Sequence, residues 1–95
     1  ILSNEPGYYL PGQFGIRIEN LLMVQPKPFA EATRPFLCFE TLTLAPIDRR
    51  LIARDLLNES ERHWINTYHA RVLREIAPQL PPHVAVWLEA ACATL

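Results

Sequence analysis

The feature that most constrains this chain is a change of apolar period at Pro46. Before it, apolar residues come in short, β-branched runs separated by prolines and glycines; after it, they recur at three- and four-residue spacing. The first pattern suits strands and the second suits amphipathic helices. A chain of 95 residues has room for one domain at most, and a domain of that size buries only about 60–70% of its unfolded surface. The expected fold class is therefore α+β, a small antiparallel sheet with two or three helices following it. Residues 1–46 form the strand layer of this reading and residues 47–95 a helical appendage.

Within the first half, Ile1 to Asn4 reads as a short strand, and Pro6, Gly7, Pro11, Gly12 and Gly15 punctuate a loop, because proline fixes φ and glycine admits φ > 0. GIRIENLLMV, Gly15 to Val24, is a second strand ended by Pro26 and Pro28, and PFLCFETLTL, Pro35 to Leu44, a third closed by Pro46. Asp48 to Leu57 could hold a short helix or turn. Asn58 stands three residues before Glu61, the spacing of a capping box. Trp64, Ile65, Tyr68, Val72, Leu73 and Ile76 then make one helical stripe, which Pro78, Pro81 and Pro82 stop. The last helix begins at His83 and carries Val84, Trp87, Leu88, Ala91 and Leu95, with Glu89 as its only formal charge. A helix so apolar all round is expected to be covered by something.

The formal net charge is -1, and basic residues are scattered among acidic ones. No nucleic-acid partner is implied. The apolar runs are too short to cross a bilayer and no signal-peptide pattern opens the chain, so no membrane role is expected either. Cys38 and Cys92 form no CxxC and sit among apolar neighbours. They read as two buried thiols of a reducing compartment, and the cytoplasm is the expected location. The chain opens on Ile1 and enters at once a segment resembling half of a strand pair, so these residues are expected to be the C-terminal piece of a longer protein.

Glu19 poses the chemical question, because it lies in an apolar, β-branched run. Side chains alternate along a strand, so Arg17 and Glu19 share one face, roughly 7 Å apart at the backbone. An ionised carboxylate among apolar neighbours should be paired or bound to a metal. A salt bridge with Arg17 satisfies that requirement. The Gly- and Pro-rich loop can also fold the chain back so that Glu5 points into the same pocket, and two such carboxylates repel unless a cation sits between them. Oxygen ligands of this hardness suit manganese, magnesium or a mixed site with zinc. Spacing alone leaves both readings open.

EPGYY, Glu5 to Tyr9, followed by FGIRIEN, Phe14 to Asn20, closely resembles the last two metal-ligand motifs of aminopeptidase P, the Xaa-Pro aminopeptidases of the pita-bread metallopeptidase family. FLCFETLTLAPIDRRLI, DLLNESERHWINTYH and VAVWLEA resemble the C-terminal extension of its longer, three-domain members. The resemblance implies that residues 1–46 are the C-terminal strands of a pita-bread catalytic domain and residues 47–95 the extension. It implies that Glu19 bridges two divalent ions, typically manganese, that Glu5 binds one of them, that Arg17 supports these acids, and that Tyr9 lies near the active site. The implied substrate is a peptide with proline at its second position, and three-domain relatives are homodimers. Two aspartates and one histidine upstream of these motifs complete the family's metal cage, so the piece alone is expected to be metal-free and inactive. A rival reading from another class is a non-catalytic assembly module with a pita-bread-like fold.

Other polar residues have plainer readings. Glu40 is expected to be a buried structural acid bonded to backbone or to an arginine such as Arg34. His63 and His69, about 240° apart around a helix, cannot ligate one ion from one face and read as solvent-facing or capping. Asp48 to Arg54 reads as a solvated charged run, Cys38 as core, and Arg71 with Glu75 as a helix pair.

Overall fold

The structure, a computed structural model, describes all residues from Ile1 to Leu95. The chain is α+β and divides into two compact units, Ile1–Thr43 and Leu44–Leu95.

The first unit holds all five strands: β1 (Leu2–Asn4), β2 (Gly7–Leu10), β3 (Phe14–Arg17), β4 (Asn20–Pro26) and β5 (Leu37–Thr41). Strand β1 pairs antiparallel with β4, and β4 with β5, in a three-stranded sheet; β2 and β3 make a separate two-stranded one. The pairings Leu2↔Leu22, Asn4↔Asn20, Gly7↔Arg17 and Leu10↔Phe14 nevertheless share one register. They are the two ends of one long hairpin whose ladder is interrupted at Glu5–Pro6 on one side and Ile18–Glu19 on the other. Pro6 has no N–H to give, so only its carbonyl takes part, accepting from Ile18 N–H at 3.1 Å. The single strand expected from Gly15 to Val24 is accordingly two. At the tip, Pro11 and Gly12 occupy a turn closed by Gln13 N–H to the Leu10 carbonyl at 3.0 Å. Gly12 has φ +73°, as the third residue of a type II turn requires.

On β4, Leu22 and Met23 are half-buried within this chain, while Leu21 and Val24 are exposed. Glu40, half-buried on β5, accepts from the side-chain amide of Gln25 on β4, and Arg34 lies over the Phe36 ring. Cys38 is half-buried, Cys92 is buried, and both are free thiols.

In the second unit, short 3₁₀ turns at Arg49–Leu51 and Arg54–Leu56 precede helix α1 (Glu59–Ile76). Asn58 caps α1: its side chain accepts from Glu61 N–H at 2.9 Å, and the Glu61 carboxylate accepts from Asn58 N–H at 2.9 Å. After a 3₁₀ turn at Ala77–Gln79, helix α2 runs from Pro82 to Ala91, with proline in its first turn, where a missing N–H costs nothing. The core of this unit is Tyr68, Val72, Leu88 and Cys92, with Leu44, Ile47, Leu73, Ile76 and Leu80 packed against it. No helix is long and apolar enough to cross a membrane.

His63 is exposed, but His69 is fully buried, contrary to the solvent-facing reading. It lies one residue after Tyr68 and three before Val72, on the inward face of α1. Its Nε2 accepts from Ile47 N–H at 3.0 Å, and burial first, then Arg49, lowers its pKa. Next to it the Tyr68 hydroxyl donates to the Ala45 carbonyl at 2.9 Å and accepts from Ala45 N–H at 3.3 Å. The backbone on either side of Pro46 joins no ladder, so these two side chains satisfy its polar groups. Arg49, expected in a solvated run, instead donates to the carbonyls of Ala90 and Thr94, both at 3.1 Å, at the C-terminal end of α2 where a cation is favoured.

Candidate metal-binding carboxylate pair

The shared register sorts the hairpin into two faces. On one lie Tyr8, Phe14, Ile16 and Ile18, all large, apolar and about half exposed. Alternation puts Glu5, Gly7, Tyr9, Gly15, Arg17 and Glu19 on the other. The interruption falls where Glu5 and Glu19 stand opposite each other, so the two acids face one another at the point where the ladder opens.

Arg17 links them. Its Nη1 lies 3.3 Å from Glu5 Oε2 and 4.0 Å from Glu19 Oε2; the first is a long hydrogen bond and the second a Coulombic contact only. Its Nε donates to the Tyr9 hydroxyl at 2.6 Å. Tyr9 first, then Glu5 and Glu19, raise the Arg17 pKa above the ordinary arginine value. That shift changes nothing at neutral pH, where an arginine is protonated anyway.

The Glu19 side chain is 59% exposed and that of Glu5 40%, so both carboxylates reach solvent within this chain. Mutual repulsion is what must be offset, and one guanidinium shared between two carboxylates leaves a net negative charge. The donor set is two hard oxygen ligands backed by a fixed cation, which fits a hard divalent ion. No three His, Cys, Asp or Glu side chains of this chain gather around one point. The sequence reading thus has Glu5, Arg17, Glu19 and Tyr9 brought together on one face. It missed that Arg17 is held by Tyr9 as well as by the acids.

Residues 35–95 match the family model described as the C-terminal region of peptidase_M24. The chain is 49% identical over 80 residues to the probable Xaa-Pro aminopeptidase P of Arthroderma benhamiae, a match covering 82% of this chain and 12% of that protein. Against the protein of the same description from Laccaria bicolor it is 39% identical over 100 residues, covering 99% of this chain and 15% of the other. Among solved structures, an X-prolyl aminopeptidase from Caenorhabditis elegans, described as a cytosolic enzyme with a di-nuclear active site, superposes with a TM-score of 0.87 at 37% identity, covering 98% of this chain and 16% of that one. The fold is therefore that of the C-terminal region of an M24 peptidase, and the chain belongs to the Xaa-Pro aminopeptidase P family. It spans 12–16% of the length of these relatives.

Proposed function

We propose that residues 1–46 contribute the last strands of the catalytic domain of a dinuclear Xaa-Pro aminopeptidase, and that residues 47–95 are its helical C-terminal extension. The complete protein removes the first residue from peptides whose second residue is proline. One observation carries the reading: Glu5 and Glu19 face each other across an opened ladder with Arg17 between them. One guanidinium between two carboxylates leaves a net negative charge, which divalent ions would offset.

Glu19 would bridge two divalent ions, manganese by the resemblance to the family, and Glu5 would bind one of them; the oxygen donors contributed here suit such hard ions. Such a pair supplies a water activated at neutral pH and polarises the scissile carbonyl. Arg17 would orient both carboxylates, and Tyr9 holds Arg17 in turn. Two carboxylates do not complete a cage for two ions, so the chain by itself is inactive and the remaining ligands lie upstream. The complete protein is cytoplasmic. A second reading, an assembly module, draws on Val86 and Trp87 of α2, which are 65% and 59% exposed; homodimerisation through this helix is compatible with either.

Glu19→Gln in the complete protein tests the reading. It keeps the shape of the side chain but weakens a ligand, so hydrolysis of an Xaa-Pro peptide should fall by more than about 100-fold, beyond the range of outer-shell changes, with the melting curve of the metal-free protein unchanged. Wild-type activity in that variant removes the metal role and leaves the assembly reading.

A further inference from the structure

The Tyr9 ring lies across the two glycines of its own face. A methyl group added at Gly15 would sit 2.7 Å from Tyr9 Cδ1 and 3.0 Å from Cε1, and one added at Gly7 would sit 2.8 Å from the Tyr9 hydroxyl and 2.9 Å from Cε2. Side-chain carbons do not tolerate approaches this close to ring atoms. Gly15 is the cross-strand partner of Tyr9 and Gly7 that of Arg17, so the ring runs diagonally from one glycine towards the other. That diagonal is what delivers the hydroxyl to Arg17 Nε at 2.6 Å.

Backbone conformation does not explain these glycines. Gly12 is the only residue of the chain with positive φ, so Gly7 and Gly15 have backbones that other residues could adopt. What they provide is a missing side chain. An aromatic laid over a cross-strand glycine also restores packing that the bare position lacks.

We infer that Gly7 and Gly15 are positioning residues: their bare Cα atoms form a cradle that lays the Tyr9 ring flat, and the flat ring sets the Arg17 guanidinium before Glu5 and Glu19. Arginine is a long, rotamer-rich side chain. Fixing its Nε on Tyr9 leaves Nη1 directed at both carboxylates. A methyl group at Gly15 meets the ring of a side chain that can swing away, so the strands persist while the hydroxyl leaves Arg17. The catalytic consequence rests on the proposed metal site; the cradle itself does not.

The test is a double-mutant cycle in the complete protein with selectively ¹⁵N-labelled arginine, the Arg17 Nε–H resonance being assigned from its loss in Arg17→Lys. Gly15→Ala should shift that resonance and speed its exchange with water. Tyr9→Ala should do the same, and the double variant should match Tyr9→Ala alone. In the Xaa-Pro assay Gly15→Ala should lower kcat about 10- to 100-fold, with KM nearly unchanged, and should cost nothing further once Tyr9 is Ala. A wild-type Arg17 resonance in Gly15→Ala, or effects that add in the double variant, overturns the cradle. Should Gly15→Ala reduce soluble yield, Tyr9→Ala must restore it, since the collision is gone; failure to restore it also overturns the inference. A complete protein with no Xaa-Pro hydrolysis ends the proposed function, while the resonance cycle still decides the cradle.

Discussion

Between Ile1 and Thr43 no residue is buried, whereas Tyr68, His69, Val72, Leu88 and Cys92 are all buried between Leu44 and Leu95. The first unit is held by antiparallel ladders and by polar contacts on one face of a hairpin. The second has a core of its own, closed by Tyr68 and His69 against the backbone around Pro46. The unit that carries the candidate chemistry is thus the one with no core, and its apolar hairpin face, Tyr8, Phe14, Ile16 and Ile18, stands open. A contiguous apolar face of this sort marks a contact surface. Under the proposed function, the upstream part of the catalytic domain supplies the rigidity the carboxylate pair needs, and the helical unit brings its own.

The contrast is broken most directly by deleting equal bulk from each unit. Leu88→Ala in the core of the second unit should cost about 2–5 kcal/mol, while Ile16→Ala, already half exposed, should cost under about 1 kcal/mol in this chain. Chemical denaturation of the two variants measures both, and equal costs would mean that the first unit has cohesion its burial does not explain. In the complete protein the Ile16 cost should rise.

His69 gives the next largest effect. Its Ala variant leaves Ile47 N–H without an acceptor, which should cost about 1–3 kcal/mol. Because burial lowers the folded-state pKa, the unfolded chain binds the proton first. Stability of the second unit should therefore be full above the ordinary histidine value of about 6.5 and decline as pH falls below it, levelling off once the pH passes the folded pKa. Melting temperature against pH should show that slope, and His69→Gln, whose side chain can still accept from Ile47, should flatten it.

Asn58→Ala removes the acceptor for Glu61 N–H and should cost about 1 kcal/mol, read as faster hydrogen exchange in the first turn of α1 alone. The smallest effect concerns Glu75, whose pKa is lowered by Arg71 first and also by Arg74. Its contribution is present above the ordinary carboxylate range and lost as pH falls through the folded value. A ¹³C titration of the Glu75 carboxyl should move back up in Arg71→Gln, and an unmoved midpoint would assign the shift to Arg74.

The sequence made the second unit legible where local rules decide. The Asn58–Glu61 spacing gave the start of α1 and the three prolines its end, because capping and missing donors act within one turn. His69 was misplaced although its position was readable: one after Tyr68 and three before Val72 is the buried stripe, and judging it only as a partner for His63 hid that. Arg49 was misjudged for another reason. Its partners, the carbonyls of Ala90 and Thr94, are set by tertiary placement, which no local pattern encodes. On the first unit, alternation correctly put Arg17 and Glu19 on one face. The split at Glu19 was missed although Pro6 announced it, since its effect falls on the opposite strand.

The turn at Pro11–Gln13 connects the two sides of the hairpin, and its length decides which residues confront each other. Insertions at loop tips are usually neutral in evolution. Here one added or deleted residue must either be absorbed as a bulge or slide one strand past the other, and a slide by one position turns every side chain of that strand to the opposite face. Glu19 and Arg17 would then exchange places with Ile18 and Ile16. A length change in that turn can silence the carboxylate pair while touching none of its residues, so relatives that keep the acids are expected to keep the number of residues between them.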